Sequence, residues 1–96
     1  MAAYMLVDVD VRDAEKYAKY RDEVPALIAK HGGEYLVRGG DFDVVEGDWQ
    51  PHRLGLFRFP NRKAIHDLMG DPEYEELKAL RQSVANSIVV AMDGIE

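Results

Sequence analysis

Residues 32 to 40 read Gly32-Gly33-Glu34-Tyr35-Leu36-Val37-Arg38-Gly39-Gly40, a short extended run between two glycine pairs. Glycine adopts positive φ angles and permits close backbone approach, so the first pair is expected to end a helix and turn the chain. The second pair is expected to bend or bulge a strand directly after Arg38. The stretch therefore predicts a junction between a helix and a strand, and it specifies no reaction.

The chain before this stretch predicts a strand and then a helix. Apolar residues alternate over residues 3–11, which is typical of a strand. Asp13 is placed to cap a helix whose apolar positions recur at intervals of three and four. Pro25 is expected to kink or split this helix, because proline lacks the N–H that the helix needs. His31 falls at its end, where a cation is favoured by the helix dipole.

The chain after this stretch predicts two further strands and two helices. The second strand is expected to resume over residues 41–46, and a turn over 47–51 leads to a third strand over 53–59. A short helix follows and ends at Gly70. Asp71 and the proline after it mark the start of a longer helix, up to about Ala85. The last strand, Ile88-Val89-Val90-Ala91-Met92-Asp93, is apolar throughout and is expected to be buried on both faces.

This order predicts an α+β protein with the ferredoxin-like split βαββαβ pattern, an antiparallel sheet that carries its helices on one face. The length of 96 residues suits one domain over residues 1–96. The other sheet face is expected to be apolar and larger than a monomer tolerates. We therefore expect a homodimer of the dimeric α/β barrel type, in which two sheets pack together and enclose a partly apolar cavity. The residues assigned to that face are Met5, Val7, Leu54, Phe57 and Val90.

The composition excludes several functional classes. The 18 acidic residues outnumber the 12 basic residues and give a net charge of −6, which disfavours nucleic acids and anionic membrane surfaces as partners. The absence of cysteine excludes disulfides, thiolate nucleophiles and iron–sulfur clusters. No signal peptide or membrane span is predicted, so we expect a cytoplasmic protein.

A set of short elements is spaced along nearly the whole chain: Tyr35-Leu36-Val37-Arg38-Gly39-Gly40, Glu46-Gly47-Asp48-Trp49, Pro51, Arg53, Phe59-Pro60, Glu73-Tyr74, Arg81 and Asp93-Gly94. With these elements the sequence resembles the domain-of-unknown-function family DUF1330. The resemblance implies a dimeric α+β barrel of the ferredoxin-like superfamily. That superfamily includes haem-degrading monooxygenases, lactone isomerases, polyketide cyclases and proteins of no known chemistry, so the resemblance leaves the activity open. The aromatic pair that family members carry in the second helix is replaced here by His66-Asp67 or Asp67-Leu68.

Arg38 is the first candidate for a functional role. A buried strand would leave its charge in need of a partner, because an unpaired buried charge is costly. One hypothesis is a structural ion pair with Glu46 or Asp8, which the glycine bend would bring close. The other is that Arg38 binds an anionic ligand. We expect Arg38 and Glu46 to face the same space in either case.

The remaining candidates lie in the second half of the chain. Tyr74 is a possible hydroxyl donor to a pocket, beside the helical turn of Arg81. Arg81 falls on an apolar helix stripe, where its stem packs and its head meets either Glu46 or a ligand. The predicted ligand-binding residues are Arg38, Glu46, Trp49, Tyr74 and Arg81, and the candidate catalytic residues among them are Arg38, Glu46 and Tyr74.

Metal and cofactor binding are not expected. His31, His52 and His66 fall in separate elements without the spacing of a metal site. Asp8 and Asp10 share one strand face and are expected to face solvent rather than to act as a pair.

Three functions from different classes remain open. The first is a cofactor-independent enzyme that acts on a small carboxylate-bearing or enolisable molecule, with Arg38 as electrostatic stabiliser and Glu46, a histidine or Tyr74 moving a proton. The second is a dimer that binds a small anionic ligand without turnover. The third is a structural homodimer.

Overall fold

The computed structural model describes residues 1–95 and confirms the predicted α+β architecture. Its four strands form one antiparallel sheet in the order β2-β3-β1-β4. Two helices follow β3, a short one and a longer one, and the sequence predicted both. No helix among residues 1–95 is long and apolar enough to cross a bilayer. The elements are β1 (Ala3–Val11), α1 (Ala14–Lys30), β2 (Glu34–Arg38), β3 (Leu54–Phe59), α2 (Arg62–Met69), α3 (Pro72–Val84) and β4 (Ala85–Asp93).

Polar side chains cap the start of each helix. The Asp13 carboxylate accepts a hydrogen bond from the Lys16 amide at 3.1 Å, and Asn61 accepts one from the Ala64 amide at 2.8 Å. Asp71 caps α3, as predicted. At the other end of α1 the chain turns at Gly32, whose φ of +79° favours glycine. Short local signals in the sequence therefore fix the helix boundaries.

Pro25 lies inside α1, and the predicted split of this helix is wrong. The helix continues from Ala14 to Lys30 around it. Proline provides no N–H, so the carbonyl of Arg21, four residues earlier, lacks its helical donor. The Arg38 guanidinium supplies one instead, with Nη2 3.5 Å from that oxygen.

The prediction that the second strand resumes over residues 41–46 is also wrong. β2 ends at Arg38, and the chain has no regular secondary structure from Gly40 to Arg53. A strand needs a hydrogen-bonded neighbour. The pairing of β2 with β3 ends at Arg38 and Gly55, which leaves the later residues without one. The bulge lies between Tyr35 and Val37, inside the strand rather than after it.

The helices cover one face of the sheet, and part of our face assignment is wrong. Met5 and Phe57 are buried in the core against α1, α2 and α3, and Val7 packs against the same core. These three residues therefore belong to the helix face. The open face carries Tyr4, Leu6, Asp8, Leu54, Leu56, Ile88, Val90 and Met92, as the strand register requires. Leu54 and Val90 were assigned to it correctly.

β4 follows α3 without a loop and starts at Ala85, earlier than predicted. Its residues alternate between the two faces of the sheet. Ile88 is 60% exposed and Val90 is 44% exposed, so β4 is not buried on both faces within one chain. The open face thus presents a row of apolar side chains.

Candidate functional site

A cavity of about 80 Å³ lies between the helix face of the sheet and the helices. It therefore lies within one chain. The cavity expected between the sheets of a dimer is a different space and stays a prediction. Met5, Val7 and Phe57 line the cavity within the chain and point toward the helices. Apolar side chains from β1, β3 and α1 make up most of its wall.

Four arginines line the cavity, and its lining includes no aspartate or glutamate. Arg21 comes from α1 and Arg38 from the end of β2. Arg53 precedes β3, and Arg81 comes from the last turn of α3. Arg21, Arg38 and Arg53 are exposed, and Arg21 also pairs with Asp22 at 3.4 Å. Arg81 is therefore the buried charge among the four.

Arg81 is the most deeply placed of the four, with only 5% of its surface exposed. It is buried because it shares the inward stripe of α3 with Tyr74, Leu77 and Val84. Its guanidinium carbon lies 5.9 Å from the centroid of the Tyr20 ring. Within the described chain, residues 1–95, its side chain makes no hydrogen bond and no ion pair. Arg81 and Glu46 also make no contact of this kind within residues 1–95, contrary to the prediction.

Tyrosine hydroxyls accompany these cations. The hydroxyl oxygens of Tyr20 and Tyr74 are 2.8 Å apart and share a hydrogen bond. Burial, reinforced by the charge interaction and hydrogen bond with Tyr74, raises the pKa of Tyr20 above its usual range. Burial also raises the pKa of Tyr17, against the smaller opposing effects of Arg53 and Arg81. Both hydroxyls therefore stay protonated near neutral pH and are available as donors.

Arg38 lies at the rim of the cavity and is exposed, contrary to the prediction of a buried strand position. Its guanidinium stacks on the Tyr35 ring, with Cζ 4.8 Å from the centroid, and donates to the Arg21 carbonyl. It forms no ion pair with Glu46 or Asp8 within residues 1–95. The predicted structural pair is therefore wrong, because Glu46 lies in the exposed segment beyond β2.

Gly39 and Arg53 also line the cavity. Gly39 has a φ of +64°, and a Cβ atom there would lie 2.8 Å from Cζ of Arg53. The absence of a side chain at Gly39 thus leaves room for the arginine head. The sequence analysis identified this glycine as a bend, and the structure gives it the second role of seating Arg53.

Asp8 lies on the open face and is 7% exposed, so its predicted solvent position is wrong. Its carboxylate accepts a hydrogen bond from the His52 amide at 2.8 Å and one from Trp49 Nε1 at 3.3 Å. These bonds fix the end of the irregular segment just before β3. Trp49 is therefore held against Asp8 and does not line the cavity.

The cavity brings together three of the predicted site residues, Arg38, Tyr74 and Arg81, and excludes Glu46 and Trp49. Sequence reasoning missed Arg21, Arg53, Tyr17 and Tyr20. The sequence does contain a signal for Tyr17 and Tyr20, because both place a hydroxyl group on the inward stripe of α1. No cluster of three or more metal-ligating side chains occurs within residues 1–95.

The antiparallel sheet with its helices on one face defines a ferredoxin-like α+β protein, and solved structures share this fold. RPA0582, a protein of unknown function from Rhodopseudomonas palustris, matches with a TM-score of 0.80 and 21% identity, over 99% of this chain and 83% of that chain. SnoaB, a cofactor-independent oxygenase from Streptomyces nogalater, matches with a TM-score of 0.66 and 8% identity, over 99% and 94%. A dimeric ferredoxin-like protein of unknown function from Jannaschia sp. CCS1 matches with a TM-score of 0.71 and 11% identity, over 98% and 100%.

The family is shown by the sequence itself. The chain belongs to the DUF1330 family, a domain of unknown function, whose model matches residues 2–95. A comparison with curated proteins finds no match. The structural likenesses, all at low identity, establish the fold alone.

Proposed function

We propose that this protein binds a small organic anion with an apolar body in the cavity between its sheet and its helices. The observation that carries the proposal is Arg81, a buried cation without an acidic partner in residues 1–95 that lines the cavity. Desolvating a charge costs several kcal/mol unless a counter-charge and hydrogen bonds compensate. An anionic ligand supplies both.

The other walls of the cavity support the same proposal. Arg38 and Arg53 add positive charge at the rim, and the Tyr17 hydroxyl adds a neutral donor. The floor is formed by apolar residues such as Met5 and Phe57. A cavity with an apolar floor and a few convergent polar groups is the usual form of a small-molecule site.

Thermal unfolding with a panel of small carboxylates at constant ionic strength tests the proposal. A ligand at one hundred times its Kd adds about 2.7 kcal/mol to the free energy of unfolding, so the Tm of the wild type rises. Arg81→Met should abolish that rise. Arg62→Met is the matched control, because Arg62 is exposed and bonds Asp93 at 2.8 Å. A Tm that no acid raises, or an equal rise in Arg81→Met, contradicts the proposal.

A second candidate function is catalysis on an enolisable anion without a cofactor. The observation that favours it is the Tyr20–Tyr74 hydroxyl pair beside Arg81. Water in the cavity would take the α-proton, the Tyr74 hydroxyl would donate a hydrogen bond to the enolate oxygen, and the Arg81 and Arg38 charges would stabilise the enolate that forms. SnoaB, described as a cofactor-independent oxygenase, has a similar fold and is consistent with such chemistry in this architecture.

Exchange of substrate α-protons for deuterium, followed by NMR in D₂O, tests the catalytic candidate. The wild type should accelerate exchange in a bound 2-oxo acid, and Tyr74→Phe should slow it while binding persists. Equal exchange rates with and without protein would leave binding as the function.

We also propose a homodimer through the open sheet face. Ile88, Val90 and Met92 form an exposed apolar row beside Leu6 and Leu56. Contiguous apolar surface of this kind is typical of interfaces. The similar protein from Jannaschia is described as dimeric.

Sedimentation at micromolar concentration tests the dimer. Val90→Glu should yield monomers, whereas Ala26→Glu, on the exposed side of α1, should not. A wild type that sediments as a folded monomer contradicts the dimer. A dimer that binds no acid would support a structural role.

A further inference from the structure

The segment between β2 and β3 has the sequence of a strand but no strand to pair with in its own chain. Acidic and apolar residues alternate from Asp41 to Val44, and phenylalanine and valine favour strands. Every residue from 40 to 50 is exposed, and Phe42 and Val44 are large apolar side chains among them. The segment therefore presents strand-forming apolar residues that the single chain leaves uncovered.

β4 has a free edge. It is the last strand in the order β2-β3-β1-β4, so one of its sides has no neighbour within residues 1–95. The Gly94 amide donates to the Ala2 carbonyl at 2.8 Å, on the side of β1. Because the backbone direction alternates along an antiparallel strand, the amides of Val89 and Ala91 point to the free side. The strand contains no proline and one charged residue, Asp93, so it lacks the features that usually protect an edge.

We infer that residues 41–46 of one copy pair as an additional strand with the free edge of β4 in a second copy. This inference rests on the proposed homodimer and specifies which backbone segments join the two chains. The segment leaves the sheet from β2, and β2 and β4 lie at opposite edges. In a dimer with twofold symmetry, each copy donates its segment and accepts that of the other, so both free edges are paired.

The side chains of the two partners fit this pairing. Ile88, Val90 and Met92 form an exposed apolar row on the open face of the sheet. Alternate residues of a neighbouring strand lie on one face, so Phe42 and Val44 extend this row while the aspartates beside them face away. β4 carries no charge before its last residue, so the acids of the segment meet no like charge along most of the edge.

Paired cysteines test the contact, because the chain contains no cysteine of its own. Val44→Cys is combined in turn with Ile88→Cys, Val90→Cys and Met92→Cys, which cover three registers. After oxidation, at least one combination should give more covalent dimer on a non-reducing gel than either of its single variants. Val44→Cys with Ala26→Cys is the matched control, because Ala26 is exposed on α1. No link in any combination, or a link within one chain, contradicts the inference.

Substitutions on the two sides of the segment test its orientation. Val44→Asp should raise the Kd of the dimer by about hundredfold, since one lost valine contact corresponds to about tenfold and occurs twice in a symmetric dimer. Val45→Asp is the matched control, because the next side chain along a strand faces away, and it should change the Kd by less than about fivefold. Sedimentation equilibrium measures both values. Equal effects of the two substitutions contradict the pairing.

Amide hydrogen exchange, measured by NMR, separates the strand pairing from the dimer itself. In the wild-type dimer the Val89 and Ala91 amides should be protected. In the monomeric Val90→Glu variant they should lose this protection, whereas the Ile88 and Met92 amides, which face β1, should keep it. A wild-type dimer in which the Val89 and Ala91 amides exchange as fast as in that variant overturns the pairing and leaves the dimer intact. A wild type that sediments as a folded monomer overturns both.

Discussion

Asp71 and Arg81 are both buried charged residues, but they differ in their hydrogen-bond partners. Asp71 is 7% exposed and Arg81 is 5% exposed. Asp71 Oδ2 accepts from Lys30 at 2.8 Å and from His31 at 2.7 Å, and Oδ1 accepts from the Glu73 amide at 2.9 Å. Arg81 has no such partner within residues 1–95 and faces the cavity.

The difference separates a buried charge that the fold satisfies from one whose donors face a cavity. The bonds of Asp71 tie the end of α1 to the start of α3, so its burial is satisfied internally. Arg81 lies on α3 only ten residues later, but its donors remain available. Burial without a partner, rather than burial alone, is therefore the basis on which Arg81 is proposed as a ligand-binding residue.

Asp71→Ala should give the largest loss of stability of the variants considered, since it leaves three donors without their acceptor. The thermal midpoint is the measurement. Asp67→Ala is the matched control, because Asp67 forms only a surface ion pair with Lys63 at 2.9 Å, which is worth about 0.3–0.5 kcal/mol. Equal midpoints for the two variants would contradict the assignment of Asp71 as a structural link.

The acid limb of the stability curve should also depend on Asp71. Hydrogen bonds from Lys30, from His31 and from the Glu73 amide hold the pKa of Asp71 well below its usual range. A lowered pKa contributes stability that is complete above the unfolded pKa of about 4 and is lost as the pH falls toward the folded value. The difference in stability between wild type and Asp71→Asn should therefore begin to shrink below about pH 4 and continue to shrink as the pH falls further. A constant difference between them down to pH 2 would exclude this linkage.

Arg81→Met, without ligand, should raise the free energy of unfolding by about 1 kcal/mol, because an apolar side chain of similar length removes an uncompensated buried charge. Urea unfolding measures the change. A loss of more than about 2 kcal/mol would show that Arg81 has a structural role like that of Asp71.

Arg38→Ala should change stability least, by less than about 0.5 kcal/mol, because Arg38 is exposed and makes one long hydrogen bond. Its effect should appear in anion affinity instead. A loss of about 3–5 kcal/mol would restore the hypothesis of a buried ion pair. The double variant Arg38→Ala/Glu46→Ala measures any coupling between the two residues, which should be absent.

Local sequence signals predicted most of the fold, including the capping position of Asp71. The Asp71-Pro72 pair marked the start of α3, and Gly32 marked the end of α1. Arg81 and Tyr74 were predicted as candidate residues because each places a polar group on the apolar stripe of α3. Such signals succeed because caps and turns depend on neighbouring residues alone.

Part of the face assignment was wrong for a physical reason. Alternation separates the two faces of a strand, but the first half of β1 is apolar on both, with Met5 on one and Leu6 on the other. Asp8 and Asp10 follow on the face of Leu6, so the pattern that marks the helix-covered face is confined to the second half of the strand. Arg53 was missed because its position near Tyr17 arises only when the rim of the sheet meets α1.

The proline in α1 shows how a helix defect can be used. Pro25 leaves the Arg21 carbonyl without its helical donor, and the Arg38 guanidinium takes that place at the cavity rim. With alanine at position 25 the same oxygen would accept from the restored amide as well as from Arg38, since a carbonyl has two lone pairs. The proline therefore leaves a carbonyl of α1 open to a side chain of β2 at the rim of the cavity.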